Sequence, residues 1–189
     1  MNEFIKRRAH LRAPINDHLL YKCKNYVLTG YCSNISEGGL LIRHLSLVPE
    51  EREFEVMIPL TSYPDFSKMN IGKLLSTTRD VFERDVITAT VSLVRSFEGL
   101  NEVERTLQTS IGVRMTDMSR ESKNLISSYV STYSKNIIYL LGLFEHNDRK
   151  TSSVALIRKT SELLGYDSEE KMSLLRLKIL HDYQSLESL

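Results

Sequence analysis

Two short clusters of residues have the types and spacing to grip an anion. Near the amino end stands Lys6-Arg7-Arg8-Ala9-His10-Leu11-Arg12, with an Arg-x-x-x-Arg at Arg8 and Arg12. Downstream lies Asn34-Ile35-Ser36-Glu37-Gly38-Gly39, an Asn-x-Ser-x-x-Gly. A guanidinium is planar, charged and forked, so it clamps phosphate oxygens, meets the O6/N7 edge of a guanine bidentately, or lies flat on a purine. Lysine does only the first of these well. An asparagine oxygen accepts from N–H donors, a serine supplies a hydroxyl, and a glycine lets backbone approach closely or turn tightly. Each cluster alone also has an ordinary reading. The first is then a solvated or nucleic-acid-binding arm, the second a polar turn.

Other reactive side chains point to less. Cys23 and Cys32 form no CxxC pair and have no histidine at metal-ligand spacing, so they read as reduced thiols on strands. With 25 basic against 24 acidic residues the net charge is +1, so any anion site must come from local clustering and not from bulk charge. No apolar run approaches the length of a membrane span, the best being residues 137–144, and residues 1–8 lack the apolar core of a signal peptide. The expectation is a cytoplasmic protein without a membrane span.

Strands must position the two clusters. Phe54, Val56, Ile58 and Leu60 alternate with Glu53, Glu55 and Met57, the period-two pattern of a half-buried strand. Ile87, Ala89, Val91 and Leu93 repeat it, as do Leu107, Thr109, Ile111, Val113 and Met115. Runs at 19–28 and 40–45 also suit strands, with Gly30 and Gly38-Gly39 read as breaks. Several short strands of this kind argue for a small barrel or sandwich. Residues 60–85 read as a long connection with a short helix. From Ser119 the period changes: Leu125, Tyr129, Tyr133 and Ile137 recur every fourth residue, with Asp117 or Ser119 as the cap. Two further helices are expected, at 152–164 closed by Gly165 and at 168–183, the latter with Asp167 and Glu170 in capping-box spacing. This divides the chain into a β domain over 1–133 and a helical extension over 134–189.

Together and in this order the two motifs resemble the signature of the PilZ family, RxxxR followed by (D/N)xSxxG. Ile111-Gly112-Val113-Arg114-Met115 is similar to the last barrel strand of such domains, residues 91–95 to the strand before it, and a helix follows as in the family. The resemblance covers residues 4–133. It implies a mainly β fold, a small antiparallel six-stranded PilZ-type barrel, here with an α-helical C-terminal extension. It also implies a receptor for the bacterial second messenger cyclic di-GMP that needs no cofactor or metal and catalyses nothing. Carried over residue by residue, the ligand-binding set is Arg7, Arg8, Arg12, Asn34, Ser36 and Gly39. Arg8 and Arg12 hold the motif positions. An arginine at Arg7 goes in this family with two stacked ligand molecules. Asn34 stands where many members carry aspartate, and its uncharged oxygen makes the weaker hydrogen bond. The implied mechanism has the N-terminal arm fold over the nucleotide and change the surface shown to a downstream protein.

Two other readings stand beside this one: a PilZ-like adaptor that no longer binds ligand, and a small nucleic-acid-binding barrel. Near-zero net charge and the lack of aromatics among the arginines weigh against the latter. His181-Asp182 in the tail faintly resembles the dipeptide of HD-type phosphohydrolases. Tyr183-Gln184 replace the Gly-Lys that usually follows, His146 is poorly spaced, and the sequence stops at Leu189 before the remaining ligands could appear. A lone His-Asp pair builds no catalytic metal site. The tail leucines suit packing on the barrel or on a second copy, which would give a homo-oligomer.

Overall fold

Alternation of apolar and polar residues becomes a closed barrel in the computed structural model, which describes residues 10–97, 110–145 and 151–187. The strands are β1 (Ala13–Cys23), β2 (Tyr26–Ser36), β3 (Gly39–Arg43), β4 (Glu53–Thr61), β5 (Arg84–Phe97) and β6 (Ser110–Met118). Their order around the barrel is β1-β2-β3-β6-β5-β4. In β4 the alternate residues Phe54, Val56, Ile58 and Leu60 are buried while Glu53, Glu55 and Met57 face outward. Ile87, Ala89 and Val91 of β5 and Ile111 and Val113 of β6 fill the same interior. Each of these side chains larger than alanine contributes about 1.5–3 kcal/mol on leaving water, and closure removes the open edges a flat sheet would present.

The mainly β fold with a helical extension is as the sequence implied, but one break is misplaced. The run 19–28 is divided by a hairpin turn at Lys24, whose φ is +54°, and the strand does not break at Gly30. Gly30 sits inside β2, where a Cβ would come within 2.9 Å of Ile42 Cγ2. Its glycine serves close packing of β2 against β3. Two bulges interrupt the ladders beside it, one between Pro14 and Asp17 on β1 and one between Cys32 and Asn34 on β2.

The helices are α1 (Ile71–Ser76), α2 (Arg120–Glu145), α3 (Thr151–Leu163) and α4 (Met172–Glu187). Contacts divide the chain into two units. One holds the described residues up to Leu60 with Arg84–Val130; the other holds Thr61–Glu83 with the residues from Ser131 onward. The division therefore falls inside α2. In the first unit Ser119 caps α2, its hydroxyl accepting the Ser122 N–H at 3.0 Å. Ile126, Tyr129 and Val130 are buried there, and the Tyr129 hydroxyl donates to the Pro14 carbonyl at 2.6 Å.

In the second unit the stretch 61–83 has its own packing. Asn136 is fully buried and accepts the Phe66 N–H through Oδ1 at 2.9 Å. Its Nδ2 donates to the Pro64 carbonyl, also at 2.9 Å. The Tyr63 ring meets Phe66, Phe82 and Tyr133 edge-on. Gly165 ends α3 at φ +91°. Its N–H reaches the Glu162 carbonyl at 2.9 Å, and the Tyr166 N–H reaches the Ser161 carbonyl at 3.0 Å. These are the paired bonds of a left-handed helix stop. The last helix starts at Met172, four residues later than the capping pattern suggested. Asp167 caps a turn instead, accepting the Glu169 N–H at 2.9 Å. The Arg158 guanidinium holds that turn open by taking the carbonyls of Ser168 and Glu170.

Candidate functional site

Strands β3, β6 and β5 lie side by side, and their register decides which outward side chains meet. Gly39 faces Arg114, Leu41 faces Gly112 and Arg43 faces Ser110. Across the next ladder Arg114 faces Ser92 and Gly112 faces Arg95. Over this wall lies a hollow of about 810 Å³. Arg12, just ahead of β1, reaches it, and the Gly38-Gly39 turn forms part of its rim. Arg43, His44, Arg95 and Arg114 complete a basic lining. The described residues that line it include four arginines and no carboxylate, so that described lining is basic although the chain is nearly neutral.

The turn joining β2 to β3 is built tightly. The Ser36 hydroxyl, in a residue only 3% exposed, donates to the Gly39 carbonyl at 3.1 Å. The Met115 N–H donates to the Gly38 carbonyl at 3.2 Å. A Cβ on Gly39 would lie 2.1 Å from the Val113 carbonyl oxygen, so only glycine allows β3 to approach β6 here. The His10 ring lies over Gly38, within 3.0 Å of where a Cβ would stand, and its Nδ1 is 4.0 Å from a Glu37 carboxylate oxygen. His10, two positions after Arg8 in the sequence, thus lies against the turn. Asn34 sits past the β2 bulge, opposite Pro14 on one side and Leu41 on the other. Its Oδ1 is buried with no hydrogen-bond partner among the described residues, as is the Ser33 hydroxyl next to it. A buried acceptor left unpaired costs about 1–3 kcal/mol.

A model of the PilZ domain matches residues 6–132 of the sequence. The chain belongs to the PilZ domain family. Among solved structures, the barrel is similar to the inhibitor of motility MotI/DgrA of Bacillus subtilis, at 13% identity and TM-score 0.43 over 67% of this chain and 51% of that one. It is similar to the PilZ domain of Escherichia coli YcgR, solved with c-di-GMP, at 15% identity and TM-score 0.40 over 67% and 92% of the two chains. PlzA of Borreliella burgdorferi, also solved in complex with c-di-GMP, matches at 11% identity and TM-score 0.32 over 74% and 53%. This PilZ chain thus spans about half the length of the MotI chain. Among curated proteins none matches the sequence.

Of the six residues singled out from the PilZ signature, Arg12 and Gly39 line the hollow. Asn34 and Ser36 lie on β2 outside its lining, one with an acceptor unpartnered among the described residues and one engaged in holding the turn. Arg7 and Arg8 lie outside the described residues. The lining arginines Arg43, Arg95 and Arg114 went unread as site residues. Each is an exposed position in a strand, which is a detectable signal, but only the neighbour relations of β3, β6 and β5 bring them together.

The cysteines and the His181-Asp182 pair are the remaining candidates. Burial pushes the thiols of Cys23 and Cys32 up, so both are neutral, and both are free and buried. Asp182 accepts the Tyr166 hydroxyl at 2.7 Å, and that hydroxyl is 3.3 Å from the Tyr133 hydroxyl. The acid of the His181-Asp182 pair is thereby engaged in helix packing. Among the described residues no group of three or more His, Cys, Asp or Glu could hold a metal ion, and no helix is long and apolar enough to cross a membrane.

Proposed function

We propose that this PilZ chain is a receptor for cyclic di-GMP, binding the dinucleotide in the hollow beside the Asn34–Gly39 turn. The observation that carries this reading is the meeting of Arg12, from the first motif, with Gly39, from the second, on one basic hollow that has no carboxylate among its described lining. Cyclic di-GMP offers two phosphates and two guanines, and arginine forks suit both. Arg12, with Arg7 and Arg8 ahead of it, supplies those forks. Asn34 faces Leu41 of the lining across the β2–β3 ladder, and its amide supplies the acceptor that a guanine N–H needs. Ser36 acts through the turn by fixing the Gly39 carbonyl. Binding, with no chemical turnover, draws the arginine-bearing segment onto the barrel and alters the surface offered to a downstream protein. Arg7 supports a pair of stacked ligand molecules as the bound form.

Calorimetry on the full chain tests this. Cyclic di-GMP should bind with a stoichiometry of one or two per chain, GTP and a short RNA should not compete, and Arg8→Ala or Arg12→Ala should weaken binding about tenfold or more. Limited proteolysis near Arg8 should slow at saturating ligand. No heat from the unaltered chain would leave it an adaptor without ligand, and preference for RNA would make it a nucleic-acid binder.

A further inference from the structure

We infer that Arg43, Arg95 and Arg114, carried by β3, β5 and β6 around a floor of small residues, form a strand-borne half of the ligand site that works alongside the arginine motif. This rests on the cyclic di-GMP reading of the same hollow.

The register supplies the argument. Reading across the outer face of the wall, one row runs Gly39, Arg114, Ser92, and the next runs Leu41, Gly112, Arg95. A further row pairs Arg43 with Ser110. Each row therefore carries one arginine, on β6, β5 and β3 in turn, beside a glycine or a serine. Adjacent strands stand about 4.8 Å apart and same-face residues about 6.7 Å apart, so Arg114 and Arg43 are anchored roughly 14 Å from each other. That spacing suits a ligand with separated anionic and purine parts better than a single phosphate.

The floor is made by residues that project little. Gly39 has no side chain because β6 backbone occupies its place. At Gly112 a Cβ would come 3.1 Å from Arg95 Cγ and 3.2 Å from its Nε, so the Arg95 stem lies across the glycine and along the floor. A flat base can settle on such a surface.

Electrostatics points the same way. Arg43 and Arg114 are exposed, and neither makes a hydrogen bond or ion pair among the described residues. Like charges gathered around a concavity repel one another until an anion enters. Because paired strands fix the Cα positions, these arginines need little ordering on binding, unlike a contact made by a chain segment that must first be positioned. They also lie far along the sequence from Arg12, so substitution at Arg12 should leave residual binding that the strand arginines provide.

The test is calorimetry with cyclic di-GMP on the full chain, its Arg12→Ala variant, Arg43→Ala, Arg114→Ala, the Arg43→Ala/Arg114→Ala double variant, Gly112→Val and Lys68→Ala. Arg43 and Arg114 are exposed, and the thermal midpoint without ligand checks that each variant folds. Each single arginine substitution should weaken binding roughly tenfold and the pair roughly a hundredfold. Gly112→Val keeps every charge but fills the floor, and should also weaken binding about tenfold or more. Lys68→Ala, which removes an equal charge elsewhere, should bind as the unaltered chain does. If the unaltered chain binds and Arg12→Ala weakens it, while the double variant and Gly112→Val stay within twofold, the strand-borne half is wrong and the receptor reading survives. If the unaltered chain does not bind, both fall.

Discussion

A buried amide oxygen with nothing to accept from lowers the stability of the fold that contains it. Among the described residues Asn34 Oδ1 is in that position, one residue past a bulge and paired in the ladder with Leu41 of the hollow's lining. Removing the group should therefore separate stability from binding. Asn34→Ala is expected to melt at or above the temperature of the unaltered chain without ligand, yet to lose about 1–3 kcal/mol of cyclic di-GMP binding. Scanning fluorimetry and calorimetry read the two effects. A lower melting temperature with unchanged affinity would mean the side chain is only structural. Gly39 presents the opposite case. Its added Cβ would meet a backbone carbonyl at 2.1 Å, and neither strand can yield without breaking the β3–β6 ladder. Gly39→Ala should cost about 3 kcal/mol or more in urea unfolding. Gly112→Ala meets only the movable Arg95 stem and should cost under about 1 kcal/mol. Equal losses at the two glycines would contradict this account.

Among the elements, the stretch 61–83 gains its order from one side chain more than from its own propensity. It holds a six-residue helix, α1, capped by the Asn70 side chain, which accepts the Gly72 N–H at 2.8 Å. Such a short helix is not stable alone. Asn136 on α2 secures the segment by satisfying a buried N–H of Phe66 and the carbonyl of Pro64 at once. Asn136→Ala strands both backbone groups and should cost about 3 kcal/mol. The Phe66 amide should then exchange with solvent much faster, and an unchanged exchange rate would show that the segment is held by its aromatic contacts instead. The late start of α4 follows the same logic. Asp167 reads as a helix cap in sequence, but Arg158 competes for the carbonyls of Ser168 and Glu170, and residues up to Lys171 stay outside the helix.

For the molecule as a whole, alkaline pH should reveal the buried phenols. Burial pushes Tyr133 well above the ordinary tyrosine range, with the Tyr166 phenol and the Asp182 carboxylate adding to the effect. Tyr21 is raised as well, mainly by burial. In the unfolded chain a tyrosine loses its proton near pH ~10, while in the folded chain these two keep theirs beyond that point. The unfolded state then binds fewer protons, so stability falls as pH rises. The urea midpoint should begin to fall from about pH 8.5, where the unfolded Cys23 and Cys32 thiols lose protons that burial keeps on them in the fold, and should fall steeply above pH ~10. Tyr133→Phe should flatten that decline, at a cost of about 1 kcal/mol at neutral pH for the lost contact to Tyr166. A decline equally steep in the variant would assign it to other groups.

Much of this protein could be read from local pattern. Period-two alternation marked β4, β5 and β6 because a strand's two faces differ in burial, and a four-residue recurrence marked α2. The motifs around Arg8–Arg12 and Asn34–Gly39 pointed to the family because their spacing survives without any knowledge of the fold. What alternation cannot express is which strand lies beside which. The placement of β6 between β3 and β5 joins residues distant in the chain, and it alone collects Arg43, Arg95 and Arg114 around Gly112. Gly30 misled for the same reason: its missing Cβ answers Ile42 on another strand, not a local turn. Periodicity states which face of an element is buried. The partner across that face is chosen by packing of the entire barrel.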